Sequence, residues 1–148
     1  MMPYERLRHE GRIHPHHTNP QEIANLFAVI ERDLADAAIQ GLSTDRRFAT
    51  AYNAALQAAM VVLYCEGYRT TGLAHHATAF EFVRMALGPS VGPLMDYFDH
   101  CRTRRSRVEY ERVEHVSETE TAHLLAEARV FRDTVRAWIE RVHPELVL

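Results

Sequence analysis

The sequence predicts an all-α protein, built as an up-and-down bundle of about five helices. Apolar residues repeat at the three- and four-residue spacing of amphipathic helices. Helix start and stop signals divide the chain at regular intervals. No segment shows the sustained alternation of polar and apolar residues that is typical of a half-buried strand, so no sheet is predicted. Short connections between long helices favour antiparallel neighbours.

The chain divides into a short arm and one domain. Residues 1–18 are polar and rich in proline, histidine and arginine, so we expect a flexible N-terminal arm. Residues 19–148 contain no internal repeat and no linker, and we expect them to form a single helical bundle domain.

The first two helices of the bundle begin at recognisable caps. Asn19 can cap a helix whose first position is Pro20, and Gly41 is placed to end it. The second helix begins at Ser43 and ends before Gly67. Its many alanines favour the helical state and allow neighbouring helices to approach closely.

Three more helices follow in the second half of the chain. The third runs from about His75 to Leu87 and is stopped by Gly88-Pro89. The fourth runs from near Pro93 to about Val116. Ser117 then opens a capping box for the fifth helix, which Pro144 prevents from continuing.

Composition excludes several classes of function. The net charge is −3, so no global positive field holds nucleic acid or an anionic membrane, and any such binding is local. All 17 basic residues are arginine, which favours forked contacts to carboxylate or phosphate. The chain has no Gly-rich phosphate loop and no nucleophile elbow, which argues against kinases and serine hydrolases of known pattern.

Cysteine usage and the N-terminal sequence favour a cytoplasmic protein without membrane contact. Cys65 and Cys101 fall in predicted helices and form no CxxC motif, so we expect buried free thiols. The N-terminal residues MMPYERLRHEGR lack the apolar region of a secretory signal. We also expect no stretch of about 18 apolar residues that could span a membrane.

Arginines interrupt the apolar face of the fourth predicted helix. At about 100° per residue, Arg105 and Arg112 fall on its apolar stripe. A buried guanidinium requires a partner, and two interpretations follow. One is an ion pair with Glu109, one turn on, at a bundle or dimer interface; the other is a cleft where arginines meet phosphate. The apolar members of the stripe are Leu94, Phe98, Cys101, Val108 and Val116.

The run Arg105-Ser106-Arg107-Val108-Glu109-Tyr110 resembles the arginine-asparagine-x-x-x-tyrosine-like motif of some bacterial HEPN domains. The similarity extends through residues 41–55 and 67–70 and through His75-His76. Together these segments extend the resemblance over about residues 20–142. It rests on the order and spacing of the motifs.

The resemblance implies an all-helical homodimer in which the motif arginines line a cleft between protomers. Many members are metal-independent ribonucleases of toxin–antitoxin or defence systems, often encoded beside a nucleotidyltransferase. Their usual motif is arginine, a polar residue, and histidine four to six positions on. Arg105 and Ser106 match the first two positions, whereas Tyr110 stands where histidine is usual. Tyrosine, with a pKa of about 10, is a poor general base at neutral pH.

On this resemblance the catalytic candidates are Arg105, Ser106 and Tyr110. We expect no cofactor. The candidates for substrate binding are Arg102, Arg104, Arg107, Glu109 and Arg69.

Three functional hypotheses remain open at this point. The first is a HEPN-like domain that contacts RNA or nucleotide phosphate through these arginines, with weak metal-independent endoribonuclease activity. The alternative, favoured by the missing histidine, is a non-enzymatic dimeric interaction module or the partner of a nucleotidyltransferase. The third is a metal-dependent bundle enzyme. His75 and His76 point about 100° apart on a helix and there is no HExxH motif, so we predict no metal site.

Overall fold

A computed structural model describes residues 4–71, 75–107 and 116–148, and most of these residues are helical. Within them, an all-α bundle is observed, which confirms the predicted fold class. The described part of the chain also contains 3-10 turns at Pro89–Val91 and Pro144–Leu146. The α-helices are α1 (Glu5–His9), α2 (Pro20–Ala37), α3 (Thr44–Cys65), α4 (His75–Leu87), α5 (Gly92–Ser106) and α6 (Glu118–Val142).

The predicted helix starts are confirmed by their side-chain caps. The Asn19 side chain accepts a hydrogen bond from the backbone N–H of Glu22 at 2.9 Å, and Ser43 caps α3 in the same way. Before α6, Ser117 and Glu120 form the reciprocal capping box, with distances of 3.0 and 3.1 Å. These starts depend on residues within one turn of each other, which is why the sequence predicts them.

The central element of the bundle is α3. It packs against α2, α4, α5 and α6, and its buried face includes five alanines that permit close helix approach. By length and composition α3 could cross a membrane, which corrects the expectation that no stretch is that apolar. Of its most apolar window, 67% is buried inside the fold, so the apolar composition follows from the central position.

The N-terminal segment, residues 4–18, packs against the bundle, in contrast to the flexible arm expected from its composition. Leu7 and Ile13 are completely buried. The Tyr4 ring stacks on Phe82 of α4 at a centroid distance of 4.1 Å, and its hydroxyl donates to Glu66. These contacts bury apolar side chains of the segment against the bundle, which favours its docked position.

A small antiparallel sheet also departs from the prediction of no sheet. Strand β1 (Ile13–Pro15) pairs with β2 (Tyr68–Thr70), with Ile13 opposite Thr70. Each strand has three residues, which is too short for an alternating pattern to be recognised in the sequence. The pairing brings the N-terminal segment beside the loop that follows α3.

Helix α5 is the described part of the fourth predicted helix. Met95, Phe98 and Cys101 are buried, so the predicted apolar stripe is confirmed as far as Cys101. Residues 108–115, which were predicted to continue this helix, lie outside the described residues. Cys65 and Cys101 are buried free thiols, and burial raises their pKa to about 12 and about 11.

Candidate functional site

Tyr52 of α3 holds a histidine of α4 in a fixed position. Its side chain is completely buried, and its hydroxyl is hydrogen-bonded to Nδ1 of His76 at 3.0 Å. The Phe80 ring packs edge-on against Tyr52, one turn further along α4, at a centroid distance of 6.2 Å. The imidazole therefore has one nitrogen bound to the buried phenol, and the opposite nitrogen, Nε2, points away from it.

Arg105, in the last turn of α5, contacts the same tyrosine from another side. Its Cζ atom lies 5.4 Å from the centroid of the Tyr52 ring, within the range of a cation–π interaction. One aromatic side chain of α3 thus touches both the histidine of α4 and the arginine of α5. We call the set Tyr52, His76, Arg102 and Arg105 the α4–α5 cluster.

Burial favours the neutral forms of both His76 and Tyr52. Burial, together with the charges of His75, Arg105 and Arg102, lowers the pKa of His76 to about 4. Burial raises the pKa of Tyr52 although the two arginines oppose the change. At neutral pH the cluster therefore combines two guanidinium cations with an uncharged imidazole and a protonated phenol.

Arg102 occupies a partly exposed position on α5, and its charge contributes to the pKa of both Tyr52 and His76. Its Nε donates to Asp99 Oδ1 at 3.0 Å, three residues earlier on the helix. The two side chains are 39% and 47% exposed, so water screens their attraction.

Arg104 occupies a different environment. Its Nε and Nη2 donate to the two carboxylate oxygens of Glu120 at 3.0 and 3.2 Å, and its side chain is only 16% exposed. Glu120 also belongs to the capping box of α6, and Arg104 holds its pKa below the usual range. The structure thus gives Arg104 the role of joining α5 to the start of α6 and does not bring it into the cluster.

The remaining candidate residues are distributed over several places. Ser106 and Arg107 are exposed at the end of α5. Arg69 is exposed on β2 opposite His14, and its charge acts on Tyr64, so the structure places it with the sheet. The two other candidates, Glu109 and Tyr110, lie outside the described residues, as does the expected ion pair of Arg105 with Glu109.

Sequence reasoning missed Tyr52 and His76 as neighbours of Arg105. The family motif places its histidine at a fixed spacing on the arginine's own helix, whereas His76 comes from the preceding helix. A signal was nevertheless present, because residues 41–55 and His75-His76 both belong to the segments that resemble HEPN domains. Within the described ranges, no three histidine, cysteine or acidic side chains are grouped so as to hold a metal ion.

Comparison with known proteins identifies the family. A family model described as SAV_6107-like HEPN matches residues 37–136, which is more than half of the 148-residue chain. The matched region includes every member of the α4–α5 cluster. Searches of curated proteins and of solved structures gave no match. The chain belongs to the HEPN family.

Proposed function

We propose that this HEPN domain contacts RNA or nucleotide phosphate through the arginines of α5, with Arg105 and Arg102 as the main contacts. The observation that carries the proposal is the α4–α5 cluster itself, in which Arg105 lies over the ring of Tyr52 and the Tyr52 hydroxyl is hydrogen-bonded to His76. Because the net charge of the chain is −3, a local concentration of positive charge is the feature that can attract a phosphate.

The contacts of the two arginines suit this role. Arg105 lies against the face of Tyr52, which restrains the guanidinium and reduces the entropy lost when it binds a ligand. Arg102 is paired with the exposed Asp99, and an exposed pair of this kind contributes little stability. A phosphate can therefore replace Asp99 as its partner at small cost, in the forked geometry that guanidinium groups favour.

Other residues of α5 contribute in different ways. Ser106 is exposed beside Arg105 and can donate a hydrogen bond, and Arg107 adds a steering charge at the end of the helix. Arg104 is excluded from phosphate contact in this proposal because Glu120 binds it in a forked ion pair.

The proposal includes weak, metal-independent endoribonuclease activity in a cytoplasmic toxin–antitoxin or defence setting. Arg105 would stabilise the charge that develops on the phosphate, which is a large contribution to catalysis in a partly buried site. The part played by Tyr110 stays a prediction, since it lies outside the described residues.

Binding to a fluorescently labelled single-stranded 12-mer RNA, measured by anisotropy, tests the proposal. We expect Arg105→Ala to weaken binding about tenfold, the loss typical of one good phosphate contact. The matched control is Arg129→Ala, which removes the same charge from an exposed position on α6 and should leave affinity within about twofold. Equal affinities of wild type and Arg105→Ala, or no binding by wild type, would contradict the proposal.

A second candidate function is a non-enzymatic module that forms a homodimer or binds a nucleotidyltransferase. A shallow surface where α5 meets α6 favours it, because its lining is mostly apolar and Val130 is 53% exposed. Light scattering at micromolar concentration and co-purification with a nucleotidyltransferase encoded nearby test this candidate. A monomer that retains no such partner would count against it. The apolar lining includes Val91, Pro93, Leu94, Tyr97 and Val130.

A further inference from the structure

We propose that His76 belongs to the same phosphate site as Arg105 and Arg102, where it donates a hydrogen bond to the phosphate and takes up a proton when the phosphate binds. The inference rests on the proposed function and adds to it a residue from another helix. It also gives phosphate binding a dependence on pH, which the arginines alone cannot supply because they stay charged.

The geometry of the Tyr52–His76 pair supports the donor role. Burial keeps the Tyr52 hydroxyl protonated, so it can donate its hydrogen to Nδ1 of His76 across the 3.0 Å that separates them. In that tautomer Nε2 carries the ring hydrogen, and Nε2 is the nitrogen directed away from the buried phenol. The imidazole then presents an N–H donor, which like the two guanidinium groups can bind an anion.

The same pair also accommodates a protonated ring. A tyrosine hydroxyl can rotate and accept a hydrogen bond from Nδ1–H, so Tyr52 serves as a partner for either charge state of His76. His76 is only partly buried, which leaves a route for proton exchange with water. His76 can therefore gain a proton without losing its hydrogen bond to Tyr52.

The surrounding charges couple that proton to the ligand. In the free protein, burial and the nearby cations hold the pKa of His76 at about 4. An opposite charge within about 4–6 Å raises a histidine pKa by roughly 1–3 units, and a phosphate bound to the arginines supplies one. Among the described residues, the groups whose charge acts on the Tyr52–His76 pair are His75 on α4 and Asp99, Cys101, Arg102 and Arg105 on α5.

Nuclear magnetic resonance of the histidine rings provides the direct test. The pH midpoint of the His76 signal, assigned by its absence in His76→Gln, is measured with and without saturating 12-mer RNA. We expect a midpoint near pH 4 in the free protein and an increase of about one unit or more on binding. The exposed His14 of β1 serves as the control signal and should not shift.

Affinities of two His76 variants complete the test. Glutamine keeps a donor near the Nε2 position but cannot titrate, so the RNA affinity of His76→Gln at each pH is compared with its own value at pH 7.5. The variant should lack the increase in affinity that wild type shows as the pH falls towards 5. His76→Phe removes the donor and should weaken binding about fivefold or more. His14→Gln is the matched control and should follow the wild-type profile.

The outcomes separate this inference from the proposed function. If Arg105→Ala weakens RNA binding while both His76 variants follow wild type from pH 5 to 8, the inference fails and the proposed function stands. If the His76 midpoint does not change in the RNA-bound protein, the inference likewise fails. If wild type binds no RNA, both fail together.

Discussion

Arg47 and Arg105 show two different uses of an arginine on an apolar helix face. Arg47 is 2% exposed, near the start of α3; its Nε donates to the Ala37 carbonyl at 2.8 Å, and its Nη1 lies 3.0 Å from a carboxylate oxygen of Glu118. Arg105 is partly buried near the end of α5, against the Tyr52 ring.

The difference lies in what each guanidinium contacts. Arg47 joins the end of α2 to the start of α6, where a carbonyl and a carboxylate provide negative charge that compensates its burial. Arg105 contacts the face of Tyr52, and its positive charge contributes to the lowered pKa of His76. An arginine on an apolar stripe is therefore an ambiguous signal, and its neighbours decide whether it stabilises the fold or forms a site.

The largest expected effect belongs to Arg47. Arg47→Met removes the hydrogen bond to Ala37 and the link to Glu118, and we expect the free energy of unfolding to fall by about 3 kcal/mol. Urea denaturation measures the change. Arg46→Met, at the exposed position next to it, is the control and should change stability by less than about 0.5 kcal/mol. Equal effects of the two variants would show that the contacts of Arg47 do not stabilise the fold.

Arg105→Ala should affect RNA binding more than stability, the opposite of Arg47→Met. The salt dependence of RNA binding should become shallower, its log–log slope decreasing in magnitude by about one, as for the loss of one phosphate contact. The free energy of unfolding should fall by less than it does in Arg47→Met, because Arg105 is only partly buried. A large loss of stability without any change in the salt slope would place Arg105 in the same class as Arg47.

Tyr52→Phe tests the residue of α3 that contacts both His76 of α4 and Arg105 of α5. Loss of the hydroxyl removes the hydrogen bond to His76, and we expect a decrease of about 1 kcal/mol in the free energy of unfolding. The aromatic face remains, so the contact with Arg105 should persist. Tyr64→Phe, also on α3 and only partly buried, is the matched control. The ring resonance of His76 should also shift in Tyr52→Phe, because its hydrogen bond to the hydroxyl is lost. An unchanged resonance would contradict this prediction.

The smallest expected effect is on the pH dependence of the free energy of unfolding. The pKa of His76 is about 4 in the folded protein and about 6.5 when unfolded, so between these values the unfolded chain binds more protons. His76 therefore stabilises the fold less as pH falls from 6.5 to 4, and no further loss follows below that window. Thermal unfolding of wild type and His76→Gln across this range should show the difference narrowing towards low pH. A constant difference would contradict the lowered pKa.

The helices follow from local sequence because their causes are local. Caps at Asn19, Ser43 and Ser117 act within one turn, and apolar spacing along a single helix places Arg105 on the stripe that continues from Phe98 and Cys101. Family membership is also evident from the sequence, since the motif around Arg105 and the segments that resemble HEPN domains lie within the matched region.

The N-terminal segment and the composition of the site depend on contacts between distant residues. Leu7 and Ile13 are isolated apolar residues in a polar stretch, and their burial requires a surface that forms only when the bundle assembles. In the same way, Tyr52, His76 and Arg105 come from three helices and meet because α3 packs against both α4 and α5. The sequence alone determined the helices and one arginine of interest, whereas tertiary packing decided its neighbours, because side-chain contacts between helices depend on how the helices pack and not on spacing within one of them.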